Sequence, residues 1–236
     1  MIFQQGTSQV NIQRTSFLLL TLLALGANAG AVLPPLPSAT NGDGIVANNG
    51  MKHLSIDFDE SSVTVHAATT MVTMMSGEGV DYTPDQFDVI ENQYFNSQYG
   101  WNFDNIVVLP EDSAIWIRRM DQTTPAGATL RVYEGGMGMG MANWTMQPLY
   151  LNDGDRWMWD GDMQHDMYVA DMPGEYSMTY EVYLGDPTTG EALASYGSAT
   201  TTIGWTVPVP EPGTAALLVL GIAGGIAVMR SRASCW

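Results

Sequence analysis

Period-two alternation in the second half of the chain sets the tightest limit on its fold. After Pro173 and Gly174, Tyr176, Met178, Tyr180, Val182 and Leu184 alternate with Ser177, Thr179, Glu181 and Tyr183. Successive side chains of a strand point to opposite faces, so this run is a strand with one apolar face and one wetter face. Gly185-Asp186-Pro187-Thr188-Thr189-Gly190 turns the chain back, and residues 200–207 alternate again with Ile203, Trp205 and Val207 inward. Upstream, Leu54, Ile56 and Phe58 alternate with His53, Ser55, Asp57 and Asp59, and shorter strand-like runs stand at 63–66, 70–75, 105–109, 114–118 and 128–133. Turn residues separate several of them: Ser61-Ser62, Pro110-Glu111-Asp112 and Pro125-Ala126-Gly127. Helical signals are few outside the two ends, so an all-β domain over 52–207, with two sheets packed as a sandwich, is expected. Residues 76–103 have weak periodicity and are read as a long, aromatic-rich loop.

The ends read differently. Residues 17–25 form a short apolar run preceded by Arg14 and followed by Ala27-Asn28-Ala29, the order of a cleavable secretory signal over 1–29. The run falls short of the roughly 20 apolar residues that span a bilayer. Cleavage is expected after Ala29, with Ala27 and Ala29 as the small-residue pair. Residues 30–51, rich in Pro, Gly and Asn, are expected to form a flexible leader.

At the other end, over 208–236, Pro210-Glu211-Pro212 precedes an apolar stretch at 214–229, and Arg230 and Arg232 follow it. This order resembles the PEP-CTERM sorting signal of Gram-negative bacteria. The prolines block helix continuation and hold an extended segment, and the arginines keep their side of the membrane cytoplasmic. The resemblance implies export by the secretion machinery and a single transmembrane helix held transiently in the inner membrane. It further implies cleavage by an exosortase near Pro210, Glu211 and Pro212, and release to the cell surface or extracellular matrix of a biofilm. The chain departs from the pattern by closing on Ala-Ser-Cys-Trp after the arginines. The strand pair opened by Pro173-Gly174-Glu175-Tyr176 resembles the final hairpin of Ig-like sandwiches, so an Ig-like or jelly-roll-type domain is expected.

Composition narrows the function classes. Eight Lys and Arg against 25 Asp and Glu give a formal charge of −17, a field that repels phosphate backbones and attracts cations, so nucleic acid is not an expected partner. Hydrophobic residues at 45% are enough for a folded core. Cys235 is the only cysteine, so no internal disulfide can form. The chain holds no Gly-x-Ser-x-Gly elbow and no phosphate-binding loop.

Candidate chemistry is sparse. Asp153, Asp155, Asp160 and Asp162 cluster in two Asp-Gly turns whose oxygens could wrap Ca²⁺, although neither follows the EF-hand order. The same residues are also what solvated turns prefer. His53, His66 and His165 could together hold a transition metal, with His165 expected in a loop. Methionines group at Met71, Met74 and Met75, at Met137, Met139 and Met141, and at Met158, Met163 and Met167. Thioethers suit Cu(I) but also fill cores. Trp144, Trp157 and Trp159 could stack on sugars or lie in the core. The expectation is a non-enzymatic exported surface protein without a required cofactor, with extracellular polysaccharide as a candidate partner. An exported metal-handling protein and a polysaccharide-active enzyme using two carboxylates are the alternatives.

Overall fold

The computed structural model describes residues 32–209 other than 68–69, 106, 138–140 and 142–143. Ala27 and Ala29, expected to direct signal cleavage, Pro210, Glu211, Pro212, Arg230 and Arg232, expected to form a sorting signal, and Met139 lie outside the described residues. No described helix is long and apolar enough to cross a membrane.

The described chain is all-β. Its strands are β1 (Lys52–Phe58), β2 (Val63–Ala67), β3 (Val72–Thr73), β4 (Met75–Ser76), β5 (Tyr94–Asn96), β6 (Tyr99–Phe103) and β7 (Ala114–Thr123). They continue with β8 (Leu130–Gly136), β9 (Pro148–Leu149), β10 (Arg156–Trp159), β11 (Gln164–Ala170), β12 (Gly174–Gly185) and β13 (Ala199–Val207). Five strands form one sheet in the order β10-β7-β12-β13-β3. The other eight form a larger sheet, in which β11 pairs with β5 and β6 along one side and with β8 along the other. Both sheets are mixed, since β1 runs parallel to β6 and β3 parallel to β13.

The two sheets share one core. Leu54, Ile56, Trp101 and Tyr168 from the larger sheet pack with Ile117, Tyr176, Met178, Tyr180, Ile203 and Trp205 from the smaller. The alternation of β12 and β13 is borne out: Tyr176, Met178, Tyr180, Val182 and Leu184, and Ile203, Trp205 and Val207, are all buried. Tyr99, Tyr168 and Trp205 meet at the centre, with Trp205 centroids 5.6 Å from Tyr99 and 4.3 Å from Tyr168. Aromatic pairs of this kind add to the stabilisation that burial alone supplies.

A second core lies on the outer face of the larger sheet. Phe95, Met167 and Val169 meet Phe87 and Ile90 of the 3₁₀ turn Asp85–Ile90, together with Trp144 and Met146. The larger sheet is therefore covered on both faces along β5 and β11. This explains two departures from the sequence reading. The stretch 76–103 contains β5 and β6, and every residue from Phe95 to Trp101 is buried. The polar run around His165 continues into the central strand β11 rather than ending in a loop. A strand buried on both sides needs no apolar-polar alternation, so period two was absent there. Residues 107–109, by contrast, form no strand.

The described part of the expected leader is packed onto the domain. Val32 bridges Tyr82 and Asn41 bridges Met74. Thr40 is fully buried, donates to the Pro37 carbonyl at 2.9 Å and accepts from the Ser97 amide at 2.9 Å. Gln98 donates through Nε2 to the carbonyls of Asn48 at 3.1 Å and Gly50 at 2.8 Å. Proline and glycine here serve tight turns that bring backbone carbonyls to buried amides, and each such bond supports the fold by about 1 kcal/mol.

Candidate functional site

The aspartates expected to hold calcium are separated and used in turns. Asp153 is drawn to Arg119, whose Nε lies 2.9 Å from Asp153 Oδ1, a charge contact out of line for a hydrogen bond. Asp155 Oδ2 accepts from the Asn152 amide at 2.7 Å, and Asp160 Oδ1 accepts from the Asp162 amide at 2.9 Å. These are local side-chain-to-backbone bonds that close Asp-Gly turns. Among the described residues no group of three or more His, Cys, Asp or Glu is placed to hold a metal ion.

The histidines divide. His66 is exposed on β2, opposite Ser55 of β1. His53 and His165 come together, with ring centroids 6.3 Å apart and planes tilted by 58°. His165 is fully buried and its Nδ1 lies 2.9 Å from the Ser97 carbonyl oxygen. Burial holds its pKa down at about 4, so the ring is neutral at physiological pH.

Asp166, the next residue, faces the interior between the sheets. It was not singled out from the sequence, where it looks like one more member of an acidic turn. Its Oδ1 accepts from Gln164 Nε2 at 3.1 Å and from the Gly135 amide at 3.4 Å, while Oδ2 is buried without a partner. Burial pushes its carboxyl up to about 7. Trp101 Nε1, Tyr150 Oη and Tyr180 Oη are likewise buried and unpartnered. Tyr180 packs its ring 5.5 Å from Trp101 and 5.3 Å from Tyr150. Buried polar atoms left without partners are costly, and a cluster of them is where internal water or a proton is held.

No protein-family model and no curated protein matches this chain.

An open cleft of ≈ 610 Å³ lies beside this cluster, lined by Arg119 and Gln122 of β7, Thr129, Arg131 and Tyr133 in and beside β8, and Tyr150. Arg119 spans its floor, donating from Nη1 to Gln122 Oε1 at 2.9 Å and to the Tyr150 carbonyl. Of the three tryptophans considered for sugar stacking, Trp144 and Trp159 are core residues and Trp157 is half-buried. Met71 and Met158 are exposed, Met75 and Met163 half-buried, and Met74, Met141 and Met167 are core fillers. Met137 is exposed where the chain leaves β8.

Proposed function

We propose that the chain is an exported, exosortase-sorted surface or extracellular-matrix protein whose all-β domain, of Ig-like or jelly-roll type, acts by binding or structure rather than by turnover. The observation that carries this reading is the order of features after the last strand. Strand β13 ends at Val207, Val209 is 72% exposed, and Pro210-Glu211-Pro212, the apolar stretch 214–229 and Arg230 and Arg232 follow at once. A cut near Pro-Glu-Pro therefore falls after the last described strand in the sequence. It would free the domain with every strand intact, which a processed surface protein requires. The acidic surface suits a hydrated, cation-rich matrix, and the cleft between β7 and β8 offers extracellular polysaccharide a polar recognition surface.

Terminal sequencing and intact mass of the protein from cells that carry an exosortase test this reading. A surface-released species that begins at Gly30 and ends near Pro-Glu-Pro supports it. Replacing Glu211 with Ala should leave the tail attached and the protein in the inner membrane. An intact tail in the wild-type protein of such cells would refute the sorting argument.

A further inference from the structure

His53, Gly100 and His165 form one rung across three neighbouring strands. Gly100 of β6 pairs with His53 of β1 on one side and with His165 of β11 on the other. Strands once removed lie about 9.6 Å apart, yet the two imidazole centroids are only 6.3 Å apart. The missing side chain at Gly100 makes this possible. A Cβ there would come within 2.5 Å of both Cε1 and Nε2 of His165, so the ring occupies the space that a side chain would take. On the other side of β11, Gly136 of β8 pairs with His165, and the space of its missing side chain is taken by the Trp144 indole.

The His165 ring has a fixed tautomer. A carbonyl oxygen can only accept, so the 2.9 Å contact with Ser97 places the proton on Nδ1 and leaves a lone pair on Nε2. That Nε2 is buried and has no protein partner, and the same is true of Nε2 of His53. A ring N–H donated to a backbone carbonyl is the supporting bond that orients metal-ligating imidazoles and raises their basicity. Both outer nitrogens of this adjacent pair are therefore sequestered from water and unbonded.

We propose that His53 and His165 bind a single Cu(I) ion through their Nε2 atoms. At the ~2.0 Å metal–nitrogen distance typical of imidazole, two rings on one ion have centroids about 5 Å apart at a tetrahedral angle and about 6.3 Å apart when collinear. The observed separation of 6.3 Å is the widest that one ion can bridge, so an ion held by both rings would lie between collinear nitrogens. Two-coordinate, collinear ligation suits a closed-shell monovalent ion. Zn²⁺ takes four ligands, and no third His, Cys, Asp or Glu joins the pair among the described residues. The formal charge of −17 raises the local concentration of any cation. This assignment is independent of how the chain is sorted.

The full-length protein in detergent, kept reduced, is titrated with Cu(I) against a chromogenic Cu(I) chelator. One equivalent should be withheld from the chelator. His53→Ala, on a half-buried strand position, should weaken retention by roughly tenfold or more, the scale on which even supporting residues of metal sites act. His66→Ala, at an exposed position, should leave it unchanged. Circular dichroism on His53→Ala confirms that the fold persists, and X-ray absorption on the copper-loaded protein should show two nitrogen neighbours. No retained equivalent, retention indifferent to His53→Ala, or tighter retention of Zn²⁺ than of Cu(I) would each overturn the proposal.

Discussion

Replacing Asp166 with Asn should change how stability depends on pH in a way set by two adjacent buried groups. Burial raises the Asp166 carboxyl from 3.8 to about 7 and lowers His165 from 6.5 to about 4. Between pH 3.8 and 7 the folded protein holds a proton on Asp166 that the unfolded chain has released. Stability from this group is therefore fully present below 3.8 and is lost as pH rises through 7, at about 1.4 kcal/mol per pH unit and about 4 kcal/mol in all. His165 has the opposite sign. From pH 4 to 6.5 the unfolded chain holds the proton and the folded one does not, so stability rises by about 1.4 kcal/mol per unit, or about 3 kcal/mol across the window. In the wild-type protein the two slopes cancel between pH 4 and 6.5. Asp166→Asn keeps an acceptor for Gln164 Nε2 and the Gly135 amide but removes the titration. The His165 slope is then unmasked. Urea denaturation from pH 4 to 8.5 should show the variant matching wild type near pH 4 and exceeding it progressively to a plateau of about 4 kcal/mol above pH 7. Taking the difference between the two proteins removes the contributions of other groups, including Asp59, whose carboxyl is held near 2 by bonds from Ser61 and Ser62. A difference that stays constant with pH would refute the argument, because Asp166 would then ionise as it does in the unfolded chain.

Three further substitutions test the packing around the site. Gly100→Ala places a methyl 2.5 Å from the His165 ring, and overpacking plus disturbance of the Ser97 bond should cost about 2–4 kcal/mol, read from thermal or urea unfolding. Gln98→Ala removes the side-chain donor of the Gly50 carbonyl and leaves the Asn48 carbonyl with Asn41 Nδ2 alone, so a loss of about 1–3 kcal/mol and faster proteolysis within residues 42–50 are expected. Unchanged cleavage would show that this segment is held by other contacts. Trp205→Ala empties the centre of the inter-sheet core beside Tyr99 and Tyr168 and should cost about 3–5 kcal/mol, with loss of near-ultraviolet circular dichroism.

The parts of the fold that were legible in the sequence are those with one wet face. In β12, Ser177, Thr179 and Glu181 face away from the core while Tyr176, Met178 and Tyr180 face into it, and the period follows directly. The same asymmetry revealed β1, β7 and β13. It fails in β11, where His165, Met167 and Val169 face one buried layer while Asp166, Tyr168 and Ala170 face another. No water-facing residue marks the period there. The reading of Asp160 and Asp162 as turn residues extended too far along the chain, because Gln164, His165 and Asp166 have the composition of a loop while His165 and Asp166 have the burial of a core.

That failure and the candidate site share one cause. A central strand covered on both faces can carry His and Asp only if the fold supplies partners or removes competing side chains. Here Ser97 turns its carbonyl toward His165, Gly100 yields its side-chain volume to the ring, and Gly135 opens the ladder. At Gly135 a Cβ would come within 1.6 Å of the His165 carbonyl oxygen, and the bulge between His165 and Met167 follows. Each concession weakens the sheet, since glycine in a strand costs backbone entropy and gives no packing. A domain that only needed stability would place Val or Ile at positions 100 and 165, as the remaining core of the larger sheet does with Leu54 and Ile56. Several concessions converging on one buried imidazole mark a position held for its chemistry, and the paired, unbonded nitrogen of His53 on the same rung indicates which chemistry that is.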